Sequence, residues 1–475
     1  MSTYDAVAPA KVVSAGATPR AMWLILATVI VADALDLMDS SLTNIAAPRI
    51  AADLGGGETL IKWLGSAYAL AMGVLLVIGG RIGDKYGHRR TFLIGMAGFT
   101  LASLVCGLAP DSTVIVIGRL LQGSFGALLI PQGIAIMTTS FSRNMLDEAF
   151  SAFGPALGLA AVGGPMLGAF IIDANIAGLE WRPMFLINIV FGSAGLALGW
   201  KVLPKLPRDE SVVLDGVGSG LLAAAMFCVI YGLIEGPTDG WSALPVALVI
   251  AGLVFFAGFG LRQRSAANPL IKPSLLRNRG FTAGLVMALA IFSVVAGLSF
   301  VISLFLQQGL GRTPVQTAVQ AFAPMSVGIV IAAVLAAPLI KRLGRNLVLA
   351  GLLISLGGEV ALWALIHTHG TSVGHWLLAP VFVVVGLGMG TCFGALFDIA
   401  VGDIDPDEAG SASGSLSAAQ QLAGSIGAAA ILSVWFHSAA SNAPSALETC
   451  LVIVAAVTLG CCFLVRLLPR AARSQ

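Results

Sequence analysis

Three acids, Asp33, Asp36 and Asp39, recur at every third position inside a long apolar stretch. On a helix each such step turns about 60° from the last, so the three form one acidic stripe. Arg119 stands inside a second apolar stretch, and Glu359 inside a third. Charges at membrane depth are costly and mark function by default. At 1.5 Å per residue, Asp39 and Arg119 lie about 12 Å and about 9 Å from the same side of their helices, so they pair if those helices touch. Desolvation and a neighbouring guanidinium pull a carboxylate's proton affinity in opposite directions. An acid held between the two can trade its proton for a cation. The structural alternative is a permanent ion pair, and Arg119 alone could simply position helices. Glu359 has no evident local partner. It reads as a cation contact, a second proton site or one end of an interhelical hydrogen bond.

The solvent around these residues follows from composition. Of 475 residues, 57% are apolar and only 11% charged, and mean hydropathy is +0.93. Soluble proteins carry about 25% charged residues. That excludes a soluble enzyme, a nucleic-acid reader, a coiled coil and a disordered chain. The 57 glycines suit membrane helices, which pack through small residues. A net charge of +2 points to no acidic partner. The six cysteines (Cys106, Cys228, Cys392, Cys450, Cys461, Cys462) show neither a disulfide framework nor metal-ligand spacing. They read as small packing residues, and His367, His369 and His375 as a solvated loop. No metal or cofactor is expected. The G-x-x-x-x-G-K-S/T phosphate loop does not occur, which disfavours an ATP-driven pump. The apolar run after residue 21 is too long for a signal-peptide core and reads as a first span.

A span needs about 20 mostly apolar residues, and the backbone must satisfy itself in lipid, so spans are helices. Fourteen such runs occur, near 22–47, 63–80, 91–110, 113–140, 149–172, 183–200, 214–234, 242–261, 281–306, 316–340, 346–366, 375–397, 410–436 and 449–468. With a cytoplasmic N-terminus, 21 of the 26 Lys and Arg residues fall in inner loops and tails. Only Arg49, Lys62, Arg182 and Arg312 fall outside, and Arg119 lies within a span. That asymmetry is a positive-inside signal and puts both termini in the cytoplasm. Asp403, Asp405, Asp407 and Glu408 form an acidic inner loop, but acids weigh little in that rule.

The loops after spans 2 and 10, GGRIGDKYGHRR (79–90) and APLIKRLGRN (337–346), match when Gly87 is set on Gly344. Spans 1–6 then repeat as 9–14, and spans 7–8 are an insert. Parallel six-helix repeats are a transporter design. The expected organisation is a tail (1–21), a six-helix bundle (22–203), a two-helix insert (204–262), a second six-helix bundle (263–468) and a tail (469–475). The class is an all-α integral membrane protein.

Three stretches stand out beyond the acids. Gly80 and Gly83 allow close helix approach, and Gly87 a backbone geometry that other residues resist. Asp84 sits at the C-terminal end of its helix, where an acid is unfavourable and wants a foreign helix N-terminus or an Arg. Arg89 and Arg90 anchor that loop at the inner surface. Gly164 and Gly168 make a G-x-x-x-G face, and Pro165 interrupts the ladder, so a bent, tightly packed helix is expected.

Together these stretches resemble the major facilitator superfamily, specifically its fourteen-span drug:proton antiporters, over nearly the whole chain. Gly80-x-x-x-Asp84-x-x-Gly87-x-Arg89-Arg90 is similar to that family's motif A. Arg119-x-x-Gln122-Gly123 is similar to motif B, and Gly164-Pro165-x-x-Gly168 to the antiporter motif C. Asp39-Ser-Ser-Leu-Thr-Asn44-Ile-Ala-Ala-Pro48 resembles the span-1 motif of the group. WRPMFLIN (181–188), LQQGLG (306–311) and SASGSLSAAQQLAGSIG (411–427) are also similar to its segments. The resemblance implies that Asp84 gates by meeting the inner end of span 13. It implies that Arg119 relays or biases protonation, that motif C marks efflux, and that Asp39 is the carried-over acid. Two positions depart from motif C, with Ala160 and Ala169 where Gly is usual.

The expected function is proton-coupled efflux of amphiphilic, cationic compounds by alternating access, conferring drug resistance. Asp33 or Asp36, with aromatic rings, would hold the cation. The expected partners are that small molecule, protons and the bilayer of the cell's plasma membrane. No nucleic acid is expected, and the chain would work as a monomer. Rival readings are a dedicated exporter of one metabolite or antibiotic, a proton symporter, and a non-transporting receptor or assembly factor.

Overall fold

The computed structural model describes residues 19–141, 145, 149, 160, 163–206, 208, 215–236, 241–266, 269–271, 273–374, 376–401, 404, 406–439 and 442–469. Most of both expected tails fall outside it, as do Arg143, His375, Asp403, Asp405 and much of the expected span 149–172. Thirteen described helices are long and apolar enough to cross a membrane, and a shorter apolar one covers Gly163–Ala174. In chain order they are α1 (Pro19–Asp53), α2 (Gly57–Tyr86), α3 (His88–Gly107), α4 (Ser112–Ser140), α5 (Gly163–Ala174), α6 (Pro183–Val202) and α7 (Gly216–Glu235). There follow α8 (Ala243–Ser265), α9 (Arg279–Leu304), α10 (Ala323–Leu343), α11 (Arg345–His369), α12 (Ala379–Val401), α13 (Pro406–Ala439) and α14 (Ala443–Leu464). Two five-residue π turns, Phe305–Gly309 and Ala318–Phe322, extend α9 and precede α10.

The helices turn where the chemistry asks for it. Gly87 and Gly344, matched in sequence, both hold positive φ (96° and 50°) between consecutive helices. Asp111 caps α4 by accepting from the amides of Thr113 and Val114, as orphan first-turn N–H groups require. Pairing repeats as well. α2 packs on α4, and α3 on α4 and α6; likewise α10 packs on α12, and α11 on α12 and α14. The remaining pair, α7 and α8, packs together, with α7 lying against both α2 and α13.

The apolar core is asymmetric across the membrane. On the face bearing the α1–α2 and α9–α10 connections, one cluster unites both sets of helices. It runs from Leu42 and Ile45 through Leu298 and Val301 to Leu432. Toward the opposite face, which carries Arg81, Arg89, Arg90 and Arg345 and is here termed the basic face, smaller clusters replace it, one mainly of N-terminal helices and two of C-terminal ones. Polar contacts reinforce the united side. Ser303 donates to Asn44 O (3.1 Å) and Gln307 to Ile45 O (3.0 Å).

Candidate functional site

The acidic stripe of α1 is buried throughout: Asp33, Asp36 and Asp39 are 5%, 4% and 0% exposed. Two other helices reach Asp39, and a third, α3, holds their side chains. Arg119 of α4 donates to Asp39 Oδ2 and, at 3.0 Å, to Gln122 Oε1. Gln122 Nε2 donates to Asp39 Oδ1 (3.0 Å) and to Ser103 Oγ of α3 (2.9 Å). Asn188 Nδ2 of α6 donates to Asp39 Oδ1 at 2.7 Å. Three donors from two helices thus satisfy one buried carboxylate, as a buried charge requires. Asp39 and Arg119 meet as their matched depths predict.

The network continues along the stripe. Tyr68 of α2 lies beneath the Arg119 guanidinium, 4.3 Å from ring centroid to carbon, and its hydroxyl donates to Asp36 Oδ1. Gly126 keeps this contact open, since a Cβ there would stand 3.0 Å from Asp36 Oδ1 and 3.3 Å from the Tyr68 hydroxyl. Gly123 lies against the Tyr68 backbone carbonyl. The chain Asp39–Arg119–Tyr68–Asp36 therefore links two acids through a cation and an aromatic face. Asp33, one turn further along, has an Oδ1 with no hydrogen-bond partner among the described residues.

Tyr68 and Ser103 carry no motif or spacing that singles them out in the sequence, and Gly126 and Asn188 carry no role there. A phenol in mid-span must find a partner for its hydroxyl, which is the signal that points to Tyr68. Asn188 ends the quoted stretch WRPMFLIN without a role attached to it.

The glycine face of α5 packs on α1 beside this network. A Cβ on Gly164 would come within 3.1 Å of Met38 Cα, and one on Gly168 within 3.2 Å of Leu42 Cγ. The two contacts bracket Asp39. The expected bend at Pro165 involves residues before Gly163, outside those described.

At the basic face, Asp84 is half-exposed and pairs with His88 Nε2 at 3.5 Å. Its expected partner, the first turn of α13, has side chains outside those described. His88 Nδ1 also meets Gln132 Oε1 at 2.8 Å, and Gln132 donates to Gly79 O at 2.7 Å. The close approach expected at Gly80 and Gly83 is found at Gly83, but at Gly79 in place of Gly80. Gly79 lies against Ala127 O, and Gly83 against the Gln132 and His88 side chains, whereas Gly80 sees only Pro131 Cβ at 3.8 Å. One residue of helical rotation carries Gly80 off the contact face. Arg89 donates to Trp200 O (2.5 Å) and covers its ring; Arg90 is exposed.

Three further charged residues are buried: Glu359, Lys62 and Asp215. Glu359 of α11, 1% exposed, accepts from Thr458 Oγ1 of α14 at 3.1 Å, and its Oε2 has no partner among the described residues. It lines a cavity of about 20 Å³ with Ser355, Cys392 and Cys461. Lys62 corrects its expected place in a loop. α2 begins at Gly57, so Lys62 lies in the helix and is 1% exposed.

A closed helical bundle with an internal repeat and a buried charge network defines a membrane transporter fold. The chain belongs to the Major Facilitator Superfamily, whose model matches residues 29–428, and it is a multi-pass membrane protein. It is 39% identical to a probable actinorhodin transporter of Streptomyces coelicolor, over 92% of this chain and 76% of that one. It is 32% identical to a tetracenomycin C resistance and export protein of Streptomyces glaucescens, over 86% and 75%. Its fold is similar to the crystal structure of a peptide transporter POT in complex with sulfate, at TM-score 0.68 and 16% identity, covering 95% of this chain and 96% of that one.

Proposed function

We propose that the chain exports an amphiphilic, cationic antibiotic or drug from the cell by antiport with protons, conferring resistance. The observation that carries this reading is the buried Asp39–Arg119–Tyr68–Asp36 chain. In this reading Asp39 is the anchor, because three donors hold it. Asp36 and Asp33 do the exchange. Asp36 has Tyr68 for a donor, and among the described residues Asp33 Oδ1 has none. Protonating Asp36 weakens its hold on the Tyr68 hydroxyl, moves the ring beneath Arg119, and so reaches Asp39. A substrate cation and a proton then compete for the same acids, which is antiport. The bundles 22–203 and 263–468, each with six of fourteen spans, rock about this centre. Asp84 with Gly80, Gly87, Arg89 and Arg90 gates the basic face, which is cytoplasmic. Glu359 is a secondary acid. The chain works in the plasma membrane as a monomer with both termini inside, driven by the proton gradient without a cofactor.

The test is counterflow in proteoliposomes. A fluorescent lipophilic cation should move against an imposed proton gradient, with loss of coupling in Asp36→Asn or Asp33→Asn. Flux that ignores the gradient refutes antiport. A second reading, dedicated export of one antibiotic, is favoured by relatives named for a single compound each, actinorhodin and tetracenomycin C. Competition by one compound class alone, among a panel of amphiphiles, selects it.

A further inference from the structure

The last carbonyls of a helix have no donor within it. At the end of α7 two consecutive ones are met from opposite sides. Lys62 Nζ of α2 donates to Ile234 O at 3.2 Å. Ser433 Oγ of α13 lies 2.8 Å from Leu233 O and 2.6 Å from Ala429 O, sharing one proton between them. A cation at a helix C-terminus also meets the negative end of its dipole. The Lys62 ammonium lies 5.6 Å from the Phe436 ring centroid of α13, with Glu58 and Glu235 near enough to act on its charge. One turn deeper, Ser66 of α2 and Ser425 of α13 exchange hydroxyl-to-carbonyl bonds directly, at 3.3 and 2.7 Å. Below these, Leu222, Met226 and Ile230 of α7 pack with Leu70 and Val74 of α2 and with Leu422 and Ala429 of α13. The insert thus sits across the seam between N-terminal and C-terminal helices, on the side where the core is united.

We propose that Lys62 and Ser433 are positioning residues of transport. Through the α7 terminus they staple α2 to α13 at the face opposite the basic one, and opening that face requires the staple to part. A buried ammonium leaves a carbonyl only for another partner or for water, so parting is an all-or-none step. The inference rests on transport by alternating access, and its test reads distance rather than flux.

The full chain is placed in lipid nanodiscs, with Cys228→Ala and Cys462→Ala removing the two partly exposed thiols. Spin labels go on Ala52→Cys and Ser445→Cys, both exposed on that face. Without substrate, Lys62→Met should raise the ratio of long-distance to short-distance populations about tenfold, the ratio that losing a charge-assisted hydrogen bond implies. Lys62→Arg should restore the parent distribution, which a purely packing role would not do. Ser433→Ala should shift the ratio in the same direction by less, and Ser433→Thr should restore it. A folded Lys62→Met with the parent distribution overturns the proposal. If Lys62→Met does not fold, an unchanged distribution in Ser433→Ala overturns it instead. If the distances respond while the parent shows no proton-coupled flux, the staple stands and the antiport reading fails.

Discussion

Asp39 on α1 and Glu359 on α11 are carboxylates of nearly equal burial, at 0% and 1% exposure, yet their surroundings differ. The helix pairs around them correspond in the repeat: α3 with α6, and α11 with α14. Both pairs carry a polar contact. Asn188 lies 3.3 Å from Ser103 in the first, and Thr458 donates to Glu359 at 3.1 Å in the second. In the N-terminal helices that contact grows into a network reaching Arg119 and Tyr68. In the C-terminal helices it meets Ile291, Val294 and Met389 and stops. The about 20 Å³ beside Glu359 suffices for a single water. One repeated architecture therefore holds a networked charge on one side and, among the described residues, an acid with a single donor on the other. The difference teaches that burial alone does not build a charge network; facing polar partners do.

The largest effect expected from this contrast is at Arg119. Arg119→Ala leaves the Asp39 carboxylate buried with only its amide donors. Breaking a buried pair from one side costs about 3–5 kcal/mol. Thermal unfolding should fall accordingly, and gradient-driven flux should vanish even in the folded fraction. Glu359→Gln keeps an acceptor for Thr458 and removes a carboxyl that has no cation beside it among the described residues. Its flux should stay within about threefold of the parent and its stability within about 1 kcal/mol. Equal losses in the two variants would dissolve the contrast.

The next effect compares glycines. In the repeat, α5 corresponds to α13 and α1 to α9. Gly168 of α5 faces the end of the Leu42 side chain, whereas Gly427 of α13 faces the Ser293 backbone. A leucine tip can rotate away, but a helix backbone cannot. Gly427→Ala should therefore destabilise by about 1–3 kcal/mol, the range for overpacking, and Gly168→Ala by less. Denaturation of both variants in one detergent tests the order. A reversed order would show that the α1–α5 contact is the rigid one.

Depth along the membrane is legible in the amino-acid sequence, and lateral neighbourhood is not. The helical class follows from hydropathy, and depth along two helices allows Asp39 and Arg119 to pair once those helices touch. The matched turns at Gly87 and Gly344 follow from a short repeat. Depth says nothing about which neighbour a side chain faces, so Tyr68, Ser103 and Asn188 are invisible as partners. Lys62 is misplaced because a lone lysine beside a span's edge looks like a loop residue. Only the start of α2 at Gly57 puts it inside. Gly80 and Gly79 differ by one residue, and hence by about 100° of rotation, which no loop motif resolves.

The smallest effect comes from a second aspartate–arginine pair that serves as a control on the first. Asp215 caps α7 by accepting from Gly218 N (3.1 Å) and is paired with Arg262 of α8 (3.1 Å). Its carboxylate is buried, but Arg262 is 39% exposed. Burial pushes the Asp215 carboxyl up, and the Gly218 and Arg262 hydrogen bonds outweigh it, leaving it below its ordinary value of 3.8. A depressed acid stabilises the fold above that ordinary value and loses the contribution as pH falls through the folded one. Arg262→Ala should therefore cost under about 1 kcal/mol at neutral pH, as partly exposed pairs do. The deficit should shrink below pH 3.8, where the parent also loses the interaction. Thermal unfolding of parent and variant across that range reads both. A cost near that of Arg119→Ala would mean that charge pairing as such, rather than enclosure within a partner chain, sets the weight of the Asp39 site.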